Sequence, residues 1–216
     1  MQIQILDSWL REHLETKATA AQIAEVLSLT SVSIERVEKV GSDFLYDIEV
    51  TTNRPDLMSV VSLAREAAVA LNSEGITAKF IQKKIIEPKT PTGKFPIKVV
   101  NNPKLVKRIC AVTLSVKLDK SAQLIKDRLE ASNIRSLNNV IDVTNYLMRE
   151  MGHPAHVFDL DRLTTKEMHI REAKKDEKII TLDKKEHTLS GGEIVADDGT
   201  GKIIDLLGII DRKSVV

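Results

Sequence analysis

Apolar side chains recur with two different spacings in the first part of this chain, and each spacing predicts an element. Between Phe44 and Thr51 apolar and polar residues alternate, which is typical of a half-buried β-strand. A turn at 53–56 follows, and Asp56 is placed to cap the helix after it. One face of that helix carries a set of apolar residues, namely Leu57, Val60, Val61, Ala64, Ala67, Ala68 and Leu71.

The preceding residues predict two further helices. Trp9 lies in an opening helix, and Thr19 and Gln22 have the spacing of a capping box ahead of Ile23, Val26 and Leu27. Together these elements predict a small helix-strand module at residues 1–80. Residues 81–96 contain three prolines and four lysines, so they are predicted to be a linker.

A second module is predicted at 97–216. Its early part contains a strand at Arg108–Val116 and a helix at about 121–131 that turns Leu124, Ile125 and Leu129 inward. A helix at Val143–Met151 then buries Tyr146, Leu147 and Met151 and ends at Gly152 and Pro154.

The end of the chain is rich in β-strand patterns. Strands are predicted around 169–171, 178–182, 193–197 and 202–208, with turns at Gly191-Gly192 and Asp198–Gly201 between them. The fold class is therefore α+β: a small helix-strand N-terminal module is followed by a mixed α/β, β-rich module.

Composition limits the partners and the cellular location that we expect for this chain. The net charge is +1, so no overall field holds nucleic acid, and any such contact must be local. Cys110 is the single cysteine, which excludes an internal disulfide; it lies in an apolar run and is expected to be buried. No apolar run reaches membrane-spanning length and no signal-peptide pattern is present, so we expect a cytoplasmic protein without a membrane partner.

Polar residues cluster between Arg135 and Leu160, on both sides of the predicted helix at Val143–Met151. Such a cluster can converge on a pocket that grips a small polar molecule, but the same Asn and Asp residues can also simply cap the helix. His156 can equally be a core histidine. A metal site at His153, His156 and Asp159 is disfavoured, because Pro154 breaks the helical spacing and no further ligand cluster completes the set.

Two groups of motifs resemble one family, the bacterial-type phenylalanyl-tRNA synthetase beta subunit. The first group follows Arg135 and reads Asn139-Val140-Ile141-Asp142, Thr144-Asn145-Tyr146 and Gly152-x-Pro154-x-His156-x-Phe158-Asp159. The second reads Thr51-x-Asn53-Arg54-Pro55-Asp56 and is followed by Ala64-Arg65-Glu66. The chain is thereby identified as similar to the N-terminal part of that subunit, with 97–216 as an editing-type module.

The resemblance implies a function and a set of residues. It implies a part of phenylalanine-tRNA ligase that contributes to subunit assembly, to tRNA binding and to proofreading hydrolysis of tyrosine mischarged onto tRNA(Phe). The implied catalytic residue is His156, and the implied substrate-binding residues are Arg135, Asn139, Thr144 and Asn145. The implied partners are tRNA(Phe) and the alpha subunit, in a heterotetramer. ATP and Mg²⁺ serve the whole enzyme, and no cofactor or metal is implied for this fragment.

The chain also departs from the family pattern. Only residues 37–43 stand where bacterial members carry an OB-fold insertion, Lys184 replaces a common glycine, and Asp211–Lys213 replace a Met-Gly-Gly run. The chain stops at Val216, so the editing-type module is expected to be C-terminally incomplete. Two alternatives to editing within the synthetase subunit follow: a noncatalytic structural module with a degenerate site, and a free-standing hydrolase that edits in trans.

Overall fold

The computed structural model describes residues 1–89, 93–181 and 184–211, and the chain divides into two compact units. The first unit comprises Met1–Pro88 and Val116–His156, and the second comprises Lys89–Ser115 and Val157–Val216. One division, at Pro88, lies inside the predicted linker. The module limits 1–80, 81–96 and 97–216 describe sequence segments and stay a prediction.

The first unit contains a three-stranded antiparallel sheet, a two-stranded antiparallel sheet and helices around a shared core. Its elements in chain order are β1 (Gln2–Leu6), α1 (Asp7–Arg11), β2 (Leu14–Thr16), α2 (Ala20–Thr30), β3 (Ser33–Val40), β4 (Asp43–Glu49), α3 (Val60–Ser73), β5 (Ala78–Phe80), α4 (Gln123–Ala131) and α5 (Asn139–Met151). The larger sheet has the strand order β1-β4-β3, and β2 pairs with β5. Trp9 and Tyr46 are the largest fully buried side chains of the core.

Local capping signals in this unit were predicted with mixed success. The capping box of α2 is confirmed: Thr19 Oγ1 accepts from the Gln22 N–H at 3.2 Å, and Gln22 Oε1 accepts from the Thr19 N–H at 2.9 Å. The predicted cap of α3 is wrong. Ser59 caps that helix, because Asp56 instead sits in a short 3₁₀ turn at Pro55–Leu57 and pairs with Arg54 at 2.9 Å.

The predicted apolar face of α3 is buried, apart from a half-buried Val61. Strands β1 and β3 were missed, and part of β3 lies in the 37–43 bridge. The inward faces of the later helices were partly wrong, because Leu124, Leu147 and Met151 are exposed.

The second unit is organised around a five-stranded sheet. Its elements are β6 (Lys98–Val100), β7 (Glu167–Glu172), β8 (Lys178–Ile180), β9 (Glu186–Thr188), β10 (Ile194–Asp197), β11 (Ile203–Leu206) and β12 (Ile210–Asp211). The strand order is β12-β11-β10-β7-β6, in which β6 and β7 are parallel and the other pairs antiparallel. Strands β8 and β9 form a separate hairpin. The α+β class is thus confirmed.

The predicted strand at Arg108–Val116 is wrong. This segment has no strand partner among the described residues, and Val112 and Leu114 are 80% and 77% exposed. Cys110 is exposed as well, contrary to the expectation of burial. An apolar run shows only that a strand is possible. The strand forms when a neighbouring strand supplies its hydrogen-bond partners. Within the described residues no helix is long and apolar enough to cross a membrane.

A buried guanidinium ties α4 and α5 to the start of the chain. Arg128 is 5% exposed, donates to the Tyr146 hydroxyl at 2.6 Å and to the Glu12 carboxylate, and lies 5.2 Å from the ring centre of Trp9. Trp9 and Tyr146 stack with ring centres 4.6 Å apart. The cation is therefore compensated by one carboxylate and two aromatic faces.

Further charges complete this network. Lys83 also donates to Glu12, and it lies 3.4 Å from Glu150, whose carboxylate contacts His13 Nε2 at 3.1 Å. Partial burial opposes ionisation of Glu12, but the hydrogen bonds from Arg128 and Lys83 outweigh it and lower the pKa of Glu12 to about 2. The network thus holds α5 in place through ionised groups.

Replacement of Arg128 by Met should destabilise the first unit by about 2–4 kcal/mol, because it removes the buried partner of Glu12 and Tyr146. Thermal and urea unfolding of the whole chain measures the loss. Lys126→Met on the same helix is the matched control, because its pair with Glu130 is long and exposed and should cost below about 0.5 kcal/mol. Equal losses in the two variants would contradict the role of Arg128.

The low pKa of Glu12 predicts a pH dependence. Because the folded-state pKa lies below the ordinary 4.5, the ionised group stabilises the fold above that pH, and its contribution is lost as the pH falls toward 2. The difference in unfolding free energy between wild type and Glu12→Gln should be constant above about pH 5 and shrink between pH 4.5 and 2. A difference that does not change across this window would show that the predicted linkage is absent.

Candidate functional site

Asp142 anchors the segment that carries most of the predicted site. Its side chain is fully buried near the start of α5 and accepts hydrogen bonds from Ser121, from Ser136 at 2.5 Å and from the Leu137 N–H at 2.8 Å. Burial raises the pKa of Asp142, but these donors outweigh it and lower the pKa below its ordinary value. The ionised carboxylate thereby fixes the loop before α5.

Two asparagines at the start of α5 are used for structure. Asn138 caps the helix, because its Oδ1 accepts from the N–H groups of Val140 and Ile141, both at 3.1 Å. Asn139, predicted to bind substrate, donates through Nδ2 to the Lys117 carbonyl at 2.9 Å and accepts through Oδ1 from the Asp119 N–H at 3.0 Å. Both ends of the Asn139 amide therefore hold residues 117–119.

The other two predicted residues on α5 point in different directions. Successive helical residues are about 100° apart, so Asn139, Thr144 and Asn145 are distributed around the helix instead of sharing one face. The Thr144 hydroxyl donates to the Ile141 carbonyl at 2.8 Å, which leaves its acceptor positions for other partners. Asn145 is half-buried.

Arg135 precedes α5 in the chain, and His156 follows it. Arg135 is exposed in the loop before the helix, whereas His156 is half-buried beyond the helix end, with its Nε2 shielded from solvent. Gly152 ends α5 as predicted, in the left-handed conformation with φ 72°. A Cβ at Gly152 would lie 3.2 Å from the Cβ of Ser59, so glycine also suits the close approach of α5 to the start of α3. The functional roles of these residues stay predictions.

Within residues 1–89, 93–181 and 184–211, no three His, Cys, Asp or Glu side chains lie together in a way that could hold an ion. Lys184 stands where the family resemblance implies a glycine. Lys184 adopts φ 68°, a conformation that favours glycine. Leu182, Asp183 and the Arg212–Ser214 run lie outside the described residues.

A polar cleft of about 240 Å³ in the first unit was missed by sequence reasoning. It is lined by Gln2, Ile3, Gln4, Asp47, Ser132, Asn133 and Arg149. The sequence offers only a faint signal for it: Arg149 lies four residues after Asn145, on the same side of α5. No local pattern connects Arg149 with Gln2 and Gln4, because strand β1 lies far away in the sequence.

Comparison with known proteins agrees with the motifs. Residues 106–215 match the family model described as the B3/4 domain. The phenylalanine–tRNA ligase beta subunit of Thermotoga maritima is 34% identical over 184 residues, which cover 83% of this chain and 22% of that protein. The beta subunit of Carboxydothermus hydrogenoformans is 38% identical over 170 residues, which cover 76% of this chain and 20% of that protein.

A crystal structure of an N-terminal fragment of the phenylalanyl-tRNA synthetase beta subunit from Pyrococcus horikoshii aligns with all of this chain and 63% of that fragment, at 16% identity and a TM-score of 0.48. The chain spans about a fifth of the length of the curated relatives it matches. The resemblance found in the motifs is confirmed by the sequence relatives. The chain therefore belongs to the B3/4 domain family, and its curated relatives are phenylalanine–tRNA ligase beta subunits.

Proposed function

We propose that this chain serves as part of a phenylalanine–tRNA ligase beta subunit, and that its B3/4 module hydrolyses tyrosine wrongly attached to tRNA(Phe). The observation that carries the proposal is the family match over 106–215, because this range contains every predicted site residue. The half-buried Asn145 amide supports it, because that group has donors and an acceptor to offer a polar aminoacyl group.

Such a reaction has a physical reason. A pocket shaped for phenylalanine rejects an added hydroxyl only by about 100-fold, which is too little for accurate translation. A second site that hydrogen-bonds the hydroxyl selects the wrong product, because phenylalanine would leave its polar groups unpaired. Proofreading therefore needs polar side chains of the kind that surround α5.

The available side chains suggest a division of roles. Asn145 would hold the tyrosine hydroxyl or amino group, and the Thr144 oxygen would accept from the same ligand. Asn139 would be a positioning residue, because its amide already holds residues 117–119. Arg135, which is exposed, would contact the terminal nucleotide.

In the hydrolysis itself, water attacks the ester carbonyl. The bond between the acyl carbon and the ribose oxygen breaks, and tyrosine and tRNA(Phe) with a free terminal hydroxyl are released. His156 would orient the tRNA terminus or the attacking water, in keeping with its half-buried position beyond the end of α5. No step requires a metal ion held by this chain.

The proposal extends to the assembly. The alpha subunit would be the partner within a cytoplasmic heterotetramer, and activation of phenylalanine with ATP and Mg²⁺ would take place on that subunit. Because the net charge of this chain is +1, its contribution to tRNA binding would come from local contacts.

A second candidate is a noncatalytic module that supports the complex. Two observations favour it. The Asn139 amide is already bonded to the backbone of residues 117 and 119, and Lys184 occupies a left-handed backbone conformation that favours glycine. This candidate predicts that the chain associates with the alpha subunit but does not hydrolyse the mischarged tRNA.

The decisive measurement is single-turnover hydrolysis of Tyr-tRNA(Phe), by this chain alone and with the alpha subunit, with Phe-tRNA(Phe) as the correct-product comparison. We expect faster release of tyrosine than of phenylalanine. His156→Ala should slow the tyrosine reaction by about 100-fold. His153→Ala is the matched control, because His153 is exposed on the same segment, and it should react within about twofold of wild type.

Equal slowing by the two histidine variants would contradict the role of His156. Equal rates of tyrosine and phenylalanine release would contradict the proposed selectivity. Absence of hydrolysis above the uncatalysed rate, together with binding to the alpha subunit, would establish the noncatalytic module instead.

A further inference from the structure

The polar cleft beside α5 contains two buried groups that lack partners. Arg149 Nε and Ser132 Oγ are both shielded from solvent and make no hydrogen bond to any described residue. Ser132 is 3% exposed as a whole. A buried donor without a partner costs about 1–3 kcal/mol, and more when it belongs to a charged group. Both groups are therefore available to a polar ligand or to water.

The charge of Arg149 indicates which kind of ligand the cleft favours. Arg149 forms no ion pair with the described residues, and burial alone lowers its pKa, with no carboxylate to oppose the shift. The other arginine of this region, Arg36, behaves differently, because it pairs with Asp47 at 3.2 Å. Arg149 is thus a half-buried cation without an ion-pair partner among the described residues, which favours an anion as its ligand.

Three of the elements that line the cleft supply hydrogen-bond donors. Gln2 and Gln4 alternate on β1 with the buried Ile3 and Ile5, so their amides share the polar face of the sheet. Ser132 and Asn133 follow α4, and Asn133 adopts φ 57°, a left-handed conformation that asparagine tolerates at the end of a helix. The third element is α5, which supplies Arg149.

We propose that this cleft binds a phosphate group, held by the guanidinium of Arg149 and the hydroxyl of Ser132. Guanidinium N–H groups match the oxygens of a phosphate, and the hydroxyl and the Gln and Asn amides add donors from other directions, as a tetrahedral oxyanion with several acceptor oxygens requires. Liquid water occupies about 30 Å³ per molecule, so a cleft of about 240 Å³ also has room for hydrating waters.

Asp47 also lines the cleft and bears on which phosphate fits. Its carboxylate is partly neutralised by Arg36, but it still opposes a doubly charged ligand more than a singly charged one. The phosphate can come from a free ion or from an RNA backbone, whose phosphodiester carries a single charge. The proposal uses none of the residues assigned to the proposed hydrolysis and does not depend on that reaction.

Binding can be followed at Arg149 itself. We would record the guanidinium Nε–H resonance of Arg149 in the whole chain while phosphate replaces chloride at constant ionic strength. A saturable shift of this resonance is expected, together with a rise in the unfolding temperature. A short single-stranded RNA in a parallel titration distinguishes the two sources: tighter binding than the free ion, reversed by phosphate, would indicate a backbone phosphate, and a response to the ion alone would indicate a free one.

Variants test the assignment. Arg149→Met should abolish the saturable response, and without phosphate it should be at least as stable as wild type, because it removes an unpaired, half-buried charge. Ser132→Ala should weaken binding about tenfold, since it removes one hydrogen bond to a charged group. Lys126→Met removes an exposed cation from the same unit and should bind as wild type does.

The proposal is overturned if neither phosphate nor RNA produces a saturable shift at Arg149, or if Arg149→Met keeps the wild-type phosphate response. Should Arg149→Met fail to fold, the wild-type resonance and Ser132→Ala decide the matter. An unchanged affinity in Ser132→Ala would then also overturn it.

Discussion

The first unit depends on one compensated charge, the guanidinium of Arg128. It reaches the Glu12 carboxylate, the Tyr146 hydroxyl and the face of Trp9, so it joins α1, α4 and α5 although these residues lie far apart in sequence. A buried cation is tolerable only when its charge and hydrogen bonds are satisfied. The position of α5, and therefore of every polar group on it, follows from this arrangement.

Around α5 the same kinds of residue serve two purposes. Asn138, Asn139 and Asp142 satisfy backbone groups and fix the neighbouring loop. Arg149 Nε, by contrast, has no hydrogen-bond partner in the described part of the chain. Satisfied groups stabilise a site, whereas unsatisfied ones are available to a ligand, so the contrast separates the frame of the site from its candidate binding groups.

Prediction from sequence succeeded for features that depend on residues close together in the chain. The capping box at Thr19, the buried face of α3 and the glycine that ends α5 follow from spacings of three to seven residues. It failed where the outcome depends on a distant partner. The segment at 108–116 contains an apolar run that suits a strand but has no strand partner among the described residues, and Cys110 is exposed with it.

The sequence by itself determined the α+β class, the family motifs and several helix boundaries, because these depend on short-range periodicity and residue type. Tertiary structure alone decided that the Asn139 amide is committed to residues 117–119 and that Arg149 shares a cleft with Gln2 and Gln4. The physical reason is that satisfaction of a polar group depends on which distant atoms come within hydrogen-bond reach, and local spacing carries no information about that.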